Sequence, residues 1–559
     1  MTIIAHDVTT DLHQQRFTPT GKTSWAPTKA KVVAGIFIIM LLTLGISYPL
    51  NTVAEDAVLK AEGHIGRVQG HIGHVRDHLG LPSSPSQVHG CVGDTPRTFV
   101  IMWATDTYAD SIVVYGSQPN MLKLSAKGRC LKLTSLMEEG SPYLHRVELQ
   151  HLDVNQVYYY RAVSHGRKSA LFHFKTWPSN DHNWSPRFLV YGDLGVRSTL
   201  FRSLKQDVAK DIFHGILHIG DLAYALSGHG GAVGDEFMRK ISTFSGNISY
   251  FTSPGDHENH AEFLHYRYRF SMPSTTWPIP LSKMWYSFDA GLAHVISISS
   301  EVYNDKYRYL YKFAMYRWLV NDLASANMNR AHRPWIIVVG HKPMYCSNRD
   351  NKIDCENTKV RKDLEDLFFQ QGVDLYISGH EHSYERTWPV YRGQVWGKSY
   401  RDPGATVQLV IGFGAVEYSS DIFAPEQPQW SAFRTNEPEL NGYGRLFIEN
   451  ITHLYWEVFS PKTAKIVDKM VIVQNRHGSF KIFGNMSNAP IIRSPSIPFL
   501  MPMFYEVSAG ISTENYLLLL CCVLFVAIFI ICRRRFPFLT KRFMFSIGGS
   551  KRTGNKLSV

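Results

Sequence analysis

The sequence predicts an exported protein of mixed α+β and α/β class: a small β-sandwich, then an α/β layered domain, with an apolar helix near each end. Three observations predict it. Residues 86–178 hold short apolar runs broken by Gly, Asp, Asn and Ser clusters. Residues 186–475 alternate apolar strands with helical stretches near 198–210 and 311–326. Runs free of charge lie at 32–50 and 516–532.

The chain has 559 residues, 44% hydrophobic and 13% aromatic, which excludes a disordered or collagen-like polymer. The net charge of +12 invites a nucleic-acid partner, but its placement argues against one. Residues 533–559 carry +8 and residues 1–31 carry +2, so ten of the twelve excess charges lie in the two tails. Basic tails beside apolar runs indicate membrane topology rather than a nucleic-acid face.

Tyr516 to Cys532 is uncharged and is followed at once by Arg533, Arg534 and Arg535. Seventeen residues suffice for a short transmembrane helix, and the basic cluster should stay cytosolic. Val32 to Leu50, preceded by Lys22, Lys29 and Lys31, reads as a signal anchor with residues 1–31 cytosolic; a cleaved signal peptide is the alternative. Either way residues 51–515 are expected on the lumenal or extracellular side of the plasma membrane or the endosomal and lysosomal system.

Residues 51–85 form a stalk or linker. Val58, Ala61, Ile65, Val68, Ile72, Val75 and Leu79 fall at a and d spacing, as in a coiled coil that makes a homo-oligomer, although four glycines weaken any helix. Of seven cysteines, three lie in the C-terminal span. Cys346 and Cys355 flank a polar loop and are expected to pair, which leaves Cys91 and Cys130 for a second bridge. Glycosylation triplets begin at Asn183, Asn247, Asn450 and Asn485. Residues 476–515 connect the folded part to the last span.

The sandwich region contains no cluster of catalytic residue types. The α/β region does. Its apolar strands end in Gly192-Asp193, Gly220-Asp221-Leu222-Ala223-Tyr224, Gly255-Asp256-His257-Glu258, Gly340-His341 and Gly379-His380-Glu381-His382. One such pair is ordinary turn chemistry. Five in order, each after a strand, point to side chains meeting beyond the carboxyl ends of a sheet, where α/β proteins bind ligands. Carboxylate and imidazole are the donors of a two-metal hydrolytic centre, and Asp221 has two oxygens with which to bridge both ions.

These segments resemble the metallophosphoesterase superfamily and, within it, the purple acid phosphatases. Position 195 is Gly where many superfamily members have a metal-binding His, and Tyr224 stands three residues after Asp221. The resemblance spans roughly residues 86–475. It implies a fibronectin III-like sandwich at 86–178 and a four-layer α/β sandwich at 186–475. It implies Fe(III) on Asp193, Asp221, Tyr224 and His382, with Fe(II), Zn(II) or Mn(II) on Asp221, Asp256, His341 and His380. It implies His257 as acid or hydrogen-bond donor at the phosphate. The activity implied is acid phosphatase hydrolysis of phosphate monoesters, on a small molecule or a phosphoprotein, by a metal-bound hydroxide. The alternatives are a phosphodiesterase or nucleotide pyrophosphatase on the same centre, or an inactive phosphatase-like adhesion protein.

One position departs from the family pattern. Asp256 stands where the family has Asn, adding a negative charge to the site. Glu258 and Glu381 are expected to orient ligands, and His89, His218 and His294 to be satisfied core residues. His260 and His265 are expected to line the cleft or face solvent.

Overall fold

The structure is a computed structural model and describes residues 84–480 apart from 134–140, 180–182, 304–307, 350–354, 356–357 and 415–420. Both apolar runs, the stalk, the connector after residue 480 and the basic tails lie outside the described residues. Among the described residues no helix is long and apolar enough to cross a membrane.

The first part is all strand: β1 (Ser86–Val92), β2 (Phe99–Thr105), β3 (Ile112–Gly116), β4 (Leu124–Lys127), β5 (Arg129–Lys132), β6 (Tyr143–Leu149), β7 (Val157–Ser164), β8 (Arg167–Lys168) and β9 (Phe172–Lys175). The second alternates β10 (Arg187–Tyr191), α1 (Phe201–Val208), β11 (Gly215–Ile219), α2 (Ala232–Ser245), β12 (Ser249–Ser253) and α3 (Leu264–Arg269). Next come β13 (Tyr286–Ala290), β14 (Ala293–Ser297), α4 (Arg308–Met328), β15 (Trp335–Val339), α5 (Lys359–Gln371) and β16 (Leu375–Ser378). The rest is strand: β17 (Tyr384–Thr387), β18 (Val390–Tyr391), β19 (Gln394–Val395), β20 (Val407–Ile411), β21 (Ser431–Thr435), β22 (Tyr443–Ile448), β23 (His453–Ser460) and β24 (Lys465–Val473).

Two large sheets carry the α/β part. One includes parallel β10, β11 and β12; the other includes parallel β14, β15, β16 and β20. β15, Trp-Ile-Ile-Val-Val, is buried at every residue, as a strand covered on both faces must be. Its alternate side chains divide accordingly. Ile337 and Val339 join the core shared with β10 and β11, while Ile336 and Val338 pack with Leu319 and Leu323 of α4 and Leu364 of α5. Helix, sheet, sheet and helix therefore stack as four layers. Local chemistry sets helix ends: the Thr358 side chain accepts from the Arg361 N–H, and Gly372 ends α5 at φ 62°.

The sandwich is not a separate bead. Its β1 pairs in parallel with β12 at Gly90 and Ser249, so β1, β2, β6 and β5 extend the first large sheet to ten strands. β2 is buried throughout because it is covered twice. Phe99, Ile101 and Trp103 point into the sandwich core; Val100, Met102 and Ala104 pack under Trp277 from the α/β part.

Cysteine pairing agrees only in part with expectation. Cys346 and Cys355 form a disulfide. Cys91 and Cys130 do not. They lie on β1 and β5, with β2 and β6 between them. Three strand spacings of about 4.8 Å exceed the roughly 7 Å that a bridge tolerates between Cα atoms.

Candidate metal centre

Each of the five segments follows a strand carboxyl end. Asp193 follows β10, Asp221 follows β11 and Asp256 follows β12 in one sheet; His341 follows β15 and His380 follows β16 in the other. The two sets face one another across the sandwich of sheets. Backbone glycine makes the approach possible. A Cβ on Gly255 would sit 2.2 Å from Asp221 Oδ1, and one on Gly379 would sit 2.3 Å from Asp193 Oδ2. Asp193, Asp221, Tyr224 and His380 all adopt left-handed backbone, with φ of 58°, 49°, 48° and 72°. Such conformations cost about 1–3 kcal/mol each for non-glycine residues and cluster where function needs them.

Two groups of donors result. Asp221, Asp256, His341 and His380 each offer an atom within 4.8 Å of the others. Asp256 Oδ1 lies 3.0 Å from His341 Nε2 and 3.1 Å from His380 Nδ1, and those two nitrogens are 3.3 Å apart. His341 Nε2 is 3.3 Å from Asp221 Oδ1. In the second group the Tyr224 hydroxyl lies 2.5 Å from His382 Nε2 and 3.2 Å from Asp193 Oδ1, with His382 Nε2 3.7 Å from that same oxygen. All seven donor residues named from sequence are thus brought together.

His257 is set at the mouth. Its N–H donates to Asp221 Oδ1 at 3.1 Å, its ring lies 4.7 Å from that of Tyr224, and its side chain is 48% exposed. Supporting contacts fix the donors. Glu258 accepts from the N–H groups of Asp221, Leu222 and Gly255 at 2.9–3.0 Å, which locks the turn bearing Asp221. The Ile219 carbonyl lies 3.0 Å from His341 Nδ1, leaving Nε2 to face the centre. Glu381 is fully buried between the two histidines that flank it in sequence.

The electrostatics show what the donor set fits. Burial pushes the Asp193 carboxyl well above its usual range, and the nearby Asp221 charge adds to this against His341 and His380. Burial and the same two carboxylates drive the Tyr224 phenol upward. Burial also acts to raise Asp256, but bonds from His341 and His380 outweigh it and hold that carboxyl far below the ordinary range. Glu258 is pushed up to about 8, first by burial and then by Asp221. Three carboxylates, three imidazoles and one phenol converging in so dry a space fit multivalent cations, which supply the positive charge that stabilises the anionic forms.

Of the histidines expected to be satisfied core residues, His89 has both ring nitrogens partnered, His218 is buried with one nitrogen partnered and Nε2 without a partner among the described residues, and His294 is partnered on both nitrogens but only partly buried. His218 Nδ1 lies 2.7 Å from the Tyr250 hydroxyl, His89 lies against the Gln87 and Arg269 carbonyls, and His294 lies between Asp289 and Asp322. His265 differs: it is buried, and its Nδ1 accepts from Arg269, so it neither lines the cleft nor meets solvent. Arg269, buried on the same helix, donates to Asp235 and Gln87. Two acidic residues escaped the sequence reading. Glu301 is buried after β14, its carboxyl pushed up by burial against the pull of Lys342. Asp421 Oδ2 accepts from the His382 N–H at 2.6 Å. Neither follows a glycine at a strand end, the signal that revealed the others.

The chain matches known proteins along most of its described length. Residues 186–384 match the calcineurin-like phosphoesterase profile, residues 85–176 the purple acid phosphatase N-terminal domain, and residues 405–469 the iron/zinc purple acid phosphatase-like protein C profile. The human acid phosphatase type 7 is 39% identical over 419 residues, covering 71% of this chain and 93% of that one. Purple acid phosphatase 21 of Arabidopsis thaliana is 29% identical over 409 residues, 71% of this chain and 86% of that one. The fold matches the purple acid phosphatase PPD1 of yellow lupin with a TM-score of 0.62 at 21% identity, covering 74% of this chain and 78% of that one.

Proposed function

The chain belongs to the purple acid phosphatase family, and from that premise we propose that it hydrolyses phosphate monoesters at a binuclear metal centre of mixed iron and divalent metal. The observation that carries this reading is the Tyr224 hydroxyl set between His382 Nε2 and Asp193 Oδ1 beside the group of Asp221, Asp256, His341 and His380.

In this reading Asp193, Asp221, Tyr224 and His382 hold a trivalent iron, since a phenolate suits a hard cation. Asp221, Asp256, His341 and His380 hold iron, zinc or manganese in the divalent state. When bound, the pair supplies an activated water and Lewis-acid polarisation of the phosphoryl oxygens. The chain's own residues do the rest. Asp221, whose Oδ1 lies 3.3 Å from His341 Nε2, would serve as a donor to both ions. Glu258 holds the turn that carries it. His257, half exposed at the mouth, is placed to give a proton to the departing oxygen. Asp256 lowers the positive charge of the centre by one relative to the family's Asn, which weakens its grip on a phosphate dianion. The apolar runs at 32–50 and 516–532 and the basic clusters beside them support a membrane-anchored protein whose catalytic part faces the lumen or exterior.

The test compares one phosphomonoester with one phosphodiester, in the presence and absence of a chelator and in His380→Ala. The proposal expects faster turnover of the monoester, lost on chelation and in the variant. Turnover of the diester alone, or hydrolysis indifferent to the chelator, would refute it.

A further inference from the structure

We propose that Asp421 is a positioning residue for the first metal position, acting through the main chain of His382. The inference rests on the reading that Asp193, Asp221, Tyr224 and His382 hold that cation.

The segment Gly379-His380-Glu381-His382 runs between two carboxylates. The His380 N–H donates to Asp193 Oδ2 at 2.9 Å; the His382 N–H donates to Asp421 Oδ2 at 2.6 Å. The first bond steadies a donor directly. The second steadies the peptide from which the His382 imidazole projects, and that imidazole lies 2.5 Å from the Tyr224 hydroxyl. A hydrogen bond to an ionised carboxylate is about twice as strong as a neutral one. Functional groups must be held to about 0.5 Å to perform.

Asp421 is itself held by a strap of chain. Asn436 Nδ2 donates to the Asp421 carbonyl at 2.9 Å. The Arg349 N–H donates to the Ile422 carbonyl and the Ala424 N–H to the Ser347 carbonyl, both at 2.8 Å. Asn348 and Phe423 form a β-bridge between these bonds. The Arg434 guanidinium lies over Phe423 and donates to the Ala424 carbonyl. Residues 422–424, next to Asp421 in the chain, are therefore zipped to residues 347–349, which directly follow the disulfide-bonded Cys346. The strap holds one carboxylate against one main-chain N–H, and that N–H belongs to a donor of the first metal position.

The test uses the purified full chain loaded with iron and zinc. It follows iron release to a chelator, the tyrosinate-to-iron absorption band, and zinc content. Asp421→Ala should lower iron affinity, read by competition with the chelator, about 10–100-fold, the range for losing a partner that orients a ligand, with faster release, a weakened or shifted band and zinc retained. Asp421→Asn, which keeps a neutral acceptor, should fall between that variant and the parent. Unchanged release and an unchanged band in Asp421→Ala would overturn the inference, as would parallel loss of both metals. If Asp421→Ala does not fold, Asn436→Ala, which frees only the Asp421 carbonyl, should show the same effect more weakly; a parent-like value there would overturn it. A parent protein with no iron and no band refutes the underlying metal reading, an outcome distinct from failure of the variants alone.

Discussion

Replacing Asp256 by Asn isolates one charge at the centre. In the structure a single oxygen, Oδ1, faces both His341 Nε2 and His380 Nδ1, so an amide oxygen can take the same place and coordination need not be lost. Only the charge changes. A unit charge about 5 Å from a phosphoryl group is worth about 3 kcal/mol at an effective dielectric of about 20. The Asp256 side chain is 30% exposed, and solvent screening cuts this to about 1–2 kcal/mol, roughly 5–30-fold. Asp256→Asn should therefore tighten inhibition by inorganic phosphate roughly 5–30-fold. The more positive centre should also ionise its water more readily, so the acid limb of the pH–rate profile should move to lower pH. Phosphate inhibition constants at two pH values and the full profile measure both effects. If inhibition and acid limb are unchanged in a variant that keeps both metals, the charge argument is wrong.

Other expectations follow from particular contacts. Gly379→Ala places a methyl group against Asp193 Oδ2; the variant should fold, by circular dichroism, yet bind less than half the parent's iron by elemental analysis. Trp277→Ala uncovers Val100, Met102 and Ala104 and should destabilise by about 3–5 kcal/mol in urea titration; residues 86–178 expressed alone should aggregate, because β2 would lose its cover on one face. His294 is partly buried, and desolvation by itself lowers its pKa, but bonds from Asp289 and Asp322 outweigh this and raise it to about 9. The folded value lies above the unfolded one, so this stabilisation is complete below about pH 6.5 and is lost as pH rises through about 9. Unfolding titrations should show that slope in the parent and a flatter one in His294→Gln.

The centre was legible because its chemistry and its topology share one local signal. Glycine before Asp or His, after a buried strand, marks both a bend and a donor, and the side chains after β10, β11, β12, β15 and β16 obey it. Tyr224 was legible through its spacing from Asp221. What was hidden depends on contacts that leave no local mark. The pairing of β1 with β12 rests on one parallel register, Gly90 with Ser249, and neither residue advertises it. An even count of cysteines suggested a bridge between Cys91 and Cys130, but strand order decides distance, and β2 and β6 intervene. Asp421 lies in irregular chain, and nothing nearby in sequence reveals that its carboxylate caps the His382 N–H. His265, expected to line the cleft or face solvent, is instead buried beside Arg269, a contact with no local mark in the sequence.

Metal analysis with visible absorption, made on the purified protein and on Tyr224→Phe, bears most directly on the account. Two metal ions per chain, one of them iron, and a visible band that disappears in Tyr224→Phe are the predicted result. A colourless protein that takes up no iron, or a band that survives removal of the phenol, would contradict it.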